Sequence, residues 1–170
     1  NNITVIDNRF ISERIKQLRD WNMEFVHGDI LDKNLISKYC KNADIVHHLA
    51  GITSVPRVKS EGNILLDNKI KEVAEKGTQN ILDVISNDCK IIFPSTHVVF
   101  EGIEKVKNDI LEDEKMKPQL AYSTSKAINE KQLRVSGKNY VILRLGSVYG
   151  YSSDTARIDI MTNLFSKITS

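Results

Sequence analysis

The chain has 170 residues, 41% of them hydrophobic and 27% charged, the balance of one soluble globular unit with a real core. Its 24 basic and 22 acidic residues leave a formal charge of +2, so no polyanionic partner such as nucleic acid is implied. No apolar run approaches the roughly 20 residues that cross a bilayer, and Cys40 and Cys89 stand apart with no C-x-x-C or histidine cluster, which predicts a reducing compartment, the cytoplasm by default, and no metal centre.

In chain order, residues 3–7 (ITVID) read as a strand, 12–20 as a helix, 24–27 (EFVH) as a strand and 32–41 as a helix. Residues 44–49 (DIVHHL) read as a third strand. Residues 63–87 read as a long helix, with Ile64, Ile70, Val73, Ala74, Gly77, Ile81, Leu82 and Ile85 at helical spacing. A fourth strand follows at 90–93 (KIIF), bounded by Pro94, then a charged loop at 101–117 ending at Pro118, a helix at 119–136 and a fifth strand at 140–145 (YVILRL). Strands alternating with helices at this spacing predict right-handed crossovers and an α/β fold with a parallel, doubly wound, Rossmann-like sheet, one domain over 1–170.

In such a sheet ligands bind beyond the carboxyl ends of the strands. The residues there are small or polar: Asp7-Asn8-Arg9, Gly28-Asp29-Ile30, Leu49-Ala50-Gly51, Pro94-Ser95-Thr96 and Gly146-Ser147. Asp7 reads either as a turn former or as an acceptor for ribose hydroxyls, which would repel a 2′-phosphate and favour NAD; Arg9 leaves NADP open. Asp29 reads either as a local cap or as a partner for a purine amine. His47 and His48 are successive strand residues that point to opposite faces, so they cannot chelate one ion together.

Tyr122 and Lys126 stand four apart on the last helix, which places their Cβ atoms about 5–6 Å apart on one face. Many helix surfaces offer such a pair; Thr96 at the end of the preceding strand adds a hydroxyl to it. A free phenol, with a pKa of about 10, needs a nearby positive charge to act as a base at neutral pH. Lys126 would supply that charge, Tyr122 would move the proton of a substrate hydroxyl, and Thr96 would hold the substrate oxygen.

The ordered set VIDN (5–8), HGDI (27–30), HHLAG (47–51), KGTQNIL (76–82), STHVVF (95–100), AYSTSK (121–126) and LRLGSVYG (143–150) resembles the extended short-chain dehydrogenases/reductases, and within them the epimerase/dehydratase branch that acts on nucleotide sugars. The resemblance implies an NAD-dependent epimerase or reductase working by hydride transfer through a keto intermediate, with Thr96, Tyr122 and Lys126 as its catalytic residues. It implies cofactor contacts at Asp7 and Asn8 (ribose), Asp29 and Ile30 (adenine), Leu49, Ala50 and Gly51 (along the cofactor), and Leu145, Ser147 and Lys126 (nicotinamide end). It also implies a homodimer through the helices near 63–87 and 119–136.

The departures are specific. His97-Val98 follow Thr96 where dehydrating members carry Asp-Glu, which disfavours dehydration. Ala74 and Ser147 stand where Asn is usual. The family's opening strand and its G-x-x-G-x-x-G turn have no counterpart among glycines 28, 51, 62, 77, 102, 137, 146 and 150. The chain therefore reads as starting at the family's second strand, with residues 151–170, including a helix near 157–168, leading toward a substrate lobe, and with sugar choice residing there and in the loop 53–62. The absent strand would lie between those at 3–7 and 44–49, so either these two pair directly or the sequence lacks a segment that the working protein has, and the second is the favoured reading. The alternative to an enzyme is a non-catalytic nucleotide-sensing or interaction protein that keeps the fold.

Overall fold

The computed structural model describes residues 2–53 and 63–150. The expected helix near 157–168, and all but the first residue of the loop 53–62, lie outside the described residues. The elements run β1 (Thr4–Asp7), α1 (Ser12–Asp20), β2 (Glu24–His27), α2 (Lys33–Cys40), β3 (Ile45–His47), α3 (Ile64–Val84), β4 (Lys90–Thr96), a short 3-10 turn (His97–Phe100), α4 (Ala121–Val135) and β5 (Asn139–Leu145). Local chemistry sets several starts. The Asp32 carboxylate accepts from the Asn34 and Leu35 N–H groups at the head of α2, and the Asn63 side chain accepts from Leu66 N–H at the head of α3.

All strand pairs are parallel, which makes this an α/β fold of Rossmann type. The strands form two sheets among the described residues: β1 with β2, and β3-β4-β5 with β4 central. β1 does not pair with β3 among the described residues, so the direct pairing is not formed. α3 spans the division, packing on α2 on one side and α4 on the other, and meets the loop after β2 at Gly77. A Cβ on Gly77 would lie 2.9 Å from Ile30 Cγ2, so the helix and that loop approach closely only because the side chain is hydrogen. Asn80 Nδ2 donates to the Ile30 carbonyl (3.0 Å) and Lys33 pairs with Asp83 (2.5 Å), fixing the same seam.

The core gathers Ile30, Ile36, Cys40, Ile81, Leu82, Ile85, Cys89, Ile91, Phe93 and Leu133 between the helices and one sheet face. Along β5 the inward residues Tyr140, Ile142 and Arg144 alternate with the exposed Asn139, Val141, Leu143 and Leu145. β4 runs to Thr96, three residues past the sequence expectation. Pro94 cannot donate to a ladder, but β3 pairs only as far as Ile92, so at Pro94 the strand needs a partner on the β5 side alone, where it lies opposite Leu143. This extension carries Ser95 and Thr96 to the functional edge.

Candidate functional site

The carboxyl ends of the strands carry two groups of candidate residues. At the β1-β2 end, Asp7 Oδ1 accepts from Arg9 N–H (2.8 Å) and Asp29 Oδ1 accepts from Leu31 N–H (2.9 Å), so both aspartates form the local turns that their positions suggested. The two strand ends are linked through Asn8: its Nδ2 donates to Asp29 Oδ2 (3.1 Å), and its carbonyl lies 3.0 Å from His27 Nε2. The Leu31 N–H and Asn8 amide hold the Asp29 carboxyl below its ordinary value, so it is anionic at neutral pH. Arg9 Nε lies 3.9 Å from Asp7 Oδ1, both side chains in solvent. Ile30 is a core residue, packed on Gly77.

At the β3-β4-β5 end, Leu49, Ala50 and Gly51 form an exposed loop, and a Cβ added to Gly51 would meet no heavy atom within 4 Å. Thr96 is buried, lies opposite Leu145 in register, and accepts from Val98 N–H (3.2 Å), starting the 3-10 turn. Ser147 is exposed just beyond β5. His47 is exposed while His48 is buried, as strand alternation requires, and no metal-binding cluster occurs among the described residues.

Tyr122 and Lys126 occupy the first turns of α4, which packs on β4 and on the 3-10 turn. Lys126 Nζ donates to the Pro94 carbonyl (2.8 Å) and lies 4.5 Å from the centre of the Phe93 ring. Burial lowers its pKa to about 8. It is a partly desolvated cation anchored two residues before Thr96.

Behind this edge lie two buried polar groups that sequence reasoning did not single out. The first joins His48 to Thr78 (Nε2 to Oγ1, 2.8 Å), and Thr78 to Asn129, whose Nδ2 donates to Thr78 Oγ1 (2.8 Å) and to the Ala74 carbonyl (2.9 Å). Burial, and secondarily the Lys126 charge, hold the His48 pKa down at about 3, so the imidazole is neutral. The second centres on Glu130, fully buried, which accepts from Ser95 Oγ (2.6 Å) and, through its two oxygens, from Arg144 Nε (3.0 Å) and a terminal nitrogen (2.7 Å). Desolvation alone would push this carboxyl up, but the Arg144 and Ser95 hydrogen bonds outweigh it and hold the pKa below the ordinary value. Arg144 also donates to the Glu112 carbonyl (2.9 Å) and stacks on Phe100, tying β5, α4 and the long loop together. The available signal was a glutamate one helical turn beyond Lys126, on a face that also carries Leu133.

The NAD dependent epimerase/dehydratase family matches residues 1–169. The chain belongs to this family. Among its relatives, a CDP-paratose 2-epimerase of Salmonella typhi is 32% identical over 154 residues, covering 76% of this chain and 44% of that protein. A UDP-glucose 4-epimerase of Mycoplasma genitalium is 30% identical over 161 residues, covering 87% of this chain and 45% of the relative. The chain thus spans less than half the length of these epimerases. Among solved structures, a UDP-glucuronic acid 4-epimerase variant of Bacillus cereus superposes with a TM-score of 0.77 at 25% identity, over 95% of this chain and 52% of that one. A dTDP-glucose 4,6-dehydratase of Streptomyces venezuelae gives 0.74 at 22% identity, over 99% and 52%. Both confirm the family fold across the described elements.

Proposed function

We propose that this chain carries the proton-transfer edge of an NAD-dependent epimerase or reductase that acts on a nucleotide sugar through a keto intermediate. The observation that supports this most is Lys126, a half-buried ammonium fixed to the Pro94 carbonyl two residues before Thr96 and one helical turn after Tyr122. The named epimerase relatives, and the NAD-bound epimerase and dehydratase structures that share the fold, support the reaction class.

The residues present fit an adenosine end. Asp7 is 46% exposed, and the Asp29 carboxylate, tied to it through Asn8, stands at the neighbouring strand end. Asp7 and Asn8 would hold ribose hydroxyls, and Asp29 with the backbone near Ile30 would meet the adenine. Leu49, Ala50 and Gly51 would lie along the pyrophosphate side, and Leu145, Ser147 and Lys126 beside the nicotinamide end. When bound, the nicotinamide supplies hydride acceptance and return. Thr96 holds the sugar oxygen by a hydrogen bond. Tyr122 takes the hydroxyl proton as the carbon is oxidised to the ketone and returns it on reduction, while the Lys126 charge favours the phenolate between the two events. His97 and Val98 bring no carboxylate pair after Thr96, which favours epimerisation or reduction over loss of water.

Titrating the full-length protein with NADH and following nicotinamide fluorescence should give saturable binding, tighter than for NADPH. No binding overturns the enzyme reading in favour of a non-catalytic interaction protein, and tighter NADPH binding would transfer the role of Arg9 from bystander to phosphate ligand. A second copy of the chain, packed through α3 and α4, completes the proposal; light scattering at twice the monomer mass is the result expected.

A further inference from the structure

At the start of α4, Leu120 in the N-cap position has no polar side-chain atom, and Ser123 Oγ accepts from the Leu120 N–H (3.2 Å). A second and shorter acceptor comes from 19 positions before Leu120. Glu101 Oε1 accepts from the N–H of Gln119 (2.6 Å), the N–H of Leu120 (2.7 Å) and the hydroxyl of Ser123. Ser123 is fully buried and Gln119 exposed, so this carboxylate oxygen sits at the boundary between core and solvent. Glu101 itself stands at the end of a rigid connector. Thr96 starts the 3-10 turn by accepting from Val98 N–H, and Glu101 N–H closes it on the Val98 carbonyl (3.0 Å). Gly102 N–H donates to the Lys117 carbonyl (2.9 Å) and Lys117 N–H to the Val99 carbonyl (2.8 Å), fastening the same short segment to the chain entering α4. A Cβ on Gly102 would sit 2.5 Å from the Lys117 carbonyl oxygen, so this approach requires glycine.

The circuit runs from Thr96 through one 3-10 turn to Glu101, across to the first turn of α4, and there to Tyr122. We infer that Glu101 is a positioning residue: by capping α4 from the turn that Thr96 begins, it fixes the Tyr122 phenol relative to the Thr96 hydroxyl and to Lys126. This rests on the proton-transfer reading above for its purpose, though not for its geometry. A helix cap alone could come from any polar residue at position 120; only Glu101 makes that cap report the position of Thr96.

Three variants separate the two roles. Glu101→Gln keeps an acceptor for all three donors and removes only the charge. Glu101→Ala removes this acceptor, and Glu101→Ala with Leu120→Asn adds an uncharged local cap for the first turn without the tie to the 3-10 turn. The charged or titratable groups on the elements packed around this turn, His97, Lys126, Glu130 and Arg144, are unchanged in all three. Two readouts are taken on the intact protein: steady-state turnover of a nucleotide sugar, and the ionisation midpoint of Tyr122, from tyrosinate absorbance with the Tyr122→Phe protein subtracted. The double variant should melt like the parent, yet lose about 100-fold in kcat with KM little changed and show a Tyr122 midpoint raised by about one pH unit. Glu101→Gln should match the parent in both. A double variant with parental kcat and midpoint overturns the inference and leaves Glu101 a helix cap. A parent phenol that titrates at the ordinary tyrosine value overturns the inference together with the proton-transfer reading. A low midpoint that depends on the tie, in a protein without turnover, supports the inference and overturns the reaction alone.

Discussion

Lys126 is the residue at which burial, charge and placement meet. The folded chain sheds its proton at about 8, before the unfolded chain does near the ordinary 10.5. The cost of the buried charge is therefore present below about 8 and disappears as pH rises from there toward the unfolded value, so stability climbs with pH across that window. Lys126→Met should raise the urea midpoint near neutrality, flatten that climb and abolish turnover; a midpoint that stays put would mean the ammonium is better solvated than its place against Phe93 and Pro94 implies. Tyr122→Phe removes the proton-transfer group and leaves the apolar ring, so kcat should fall about 10²–10⁴-fold with little change in melting temperature. Asp7 and Asp29 illustrate how one residue serves two ends. Each makes the turn its type favours, and the Asn8 side chain next to Asp7 reaches across to the Asp29 carboxylate.

At the scale of elements, the buried Glu130–Arg144 pair ties α4 to β5. Removing one partner strands the other, so Glu130→Ala should cost about 3–5 kcal/mol in urea unfolding. Because the Glu130 carboxyl is held low and His48 is held neutral, both contributions fade as the solution is acidified, and the protein should lose stability steadily below neutrality. At the seam between the sheets, Gly77→Ala gains helix propensity but forces a Cβ into the branched Ile30 side chain; the clash should win by about 1–3 kcal/mol. Much of this architecture was legible in the sequence. The order and approximate bounds of the nine strands and α-helices among the described residues follow from period and punctuation, since apolar spacing reports which side of each segment is covered. Pro94 misled the fourth strand because the cost of a missing N–H depends on which neighbour is present, a fact of pairing rather than of sequence. The Tyr122 and Lys126 spacing was readable from local geometry. Glu101, Glu130 and Asn129 were not, because the partners that define them lie 14 to 55 positions away and nothing local marks a carboxylate or amide as buried.

For the molecule as a whole, the division between β1-β2 and β3-β4-β5 makes α3 the principal bridge, and stability should be uneven across it. Amide hydrogen exchange should be slowest in β4, which is central and carries the fully buried Ile91 and Phe93, and faster in β1-β2, whose strands are only half-covered. Uniform exchange across both sheets would mean that the two open as one unit. No helix among the described residues is long and apolar enough to cross a membrane. The long loop offers a different kind of opportunity. Its two ends are stapled together by the Gly102 and Lys117 backbone hydrogen bonds, and Val106 near its tip is 98% exposed. Lengthening a loop whose ends are already held adds little entropy cost. A fluorophore, an affinity tag or a short peptide spliced in beside Val106 would therefore ride on the protein as passive cargo, giving experimenters a handle on the loop that follows Thr96 and the 3-10 turn.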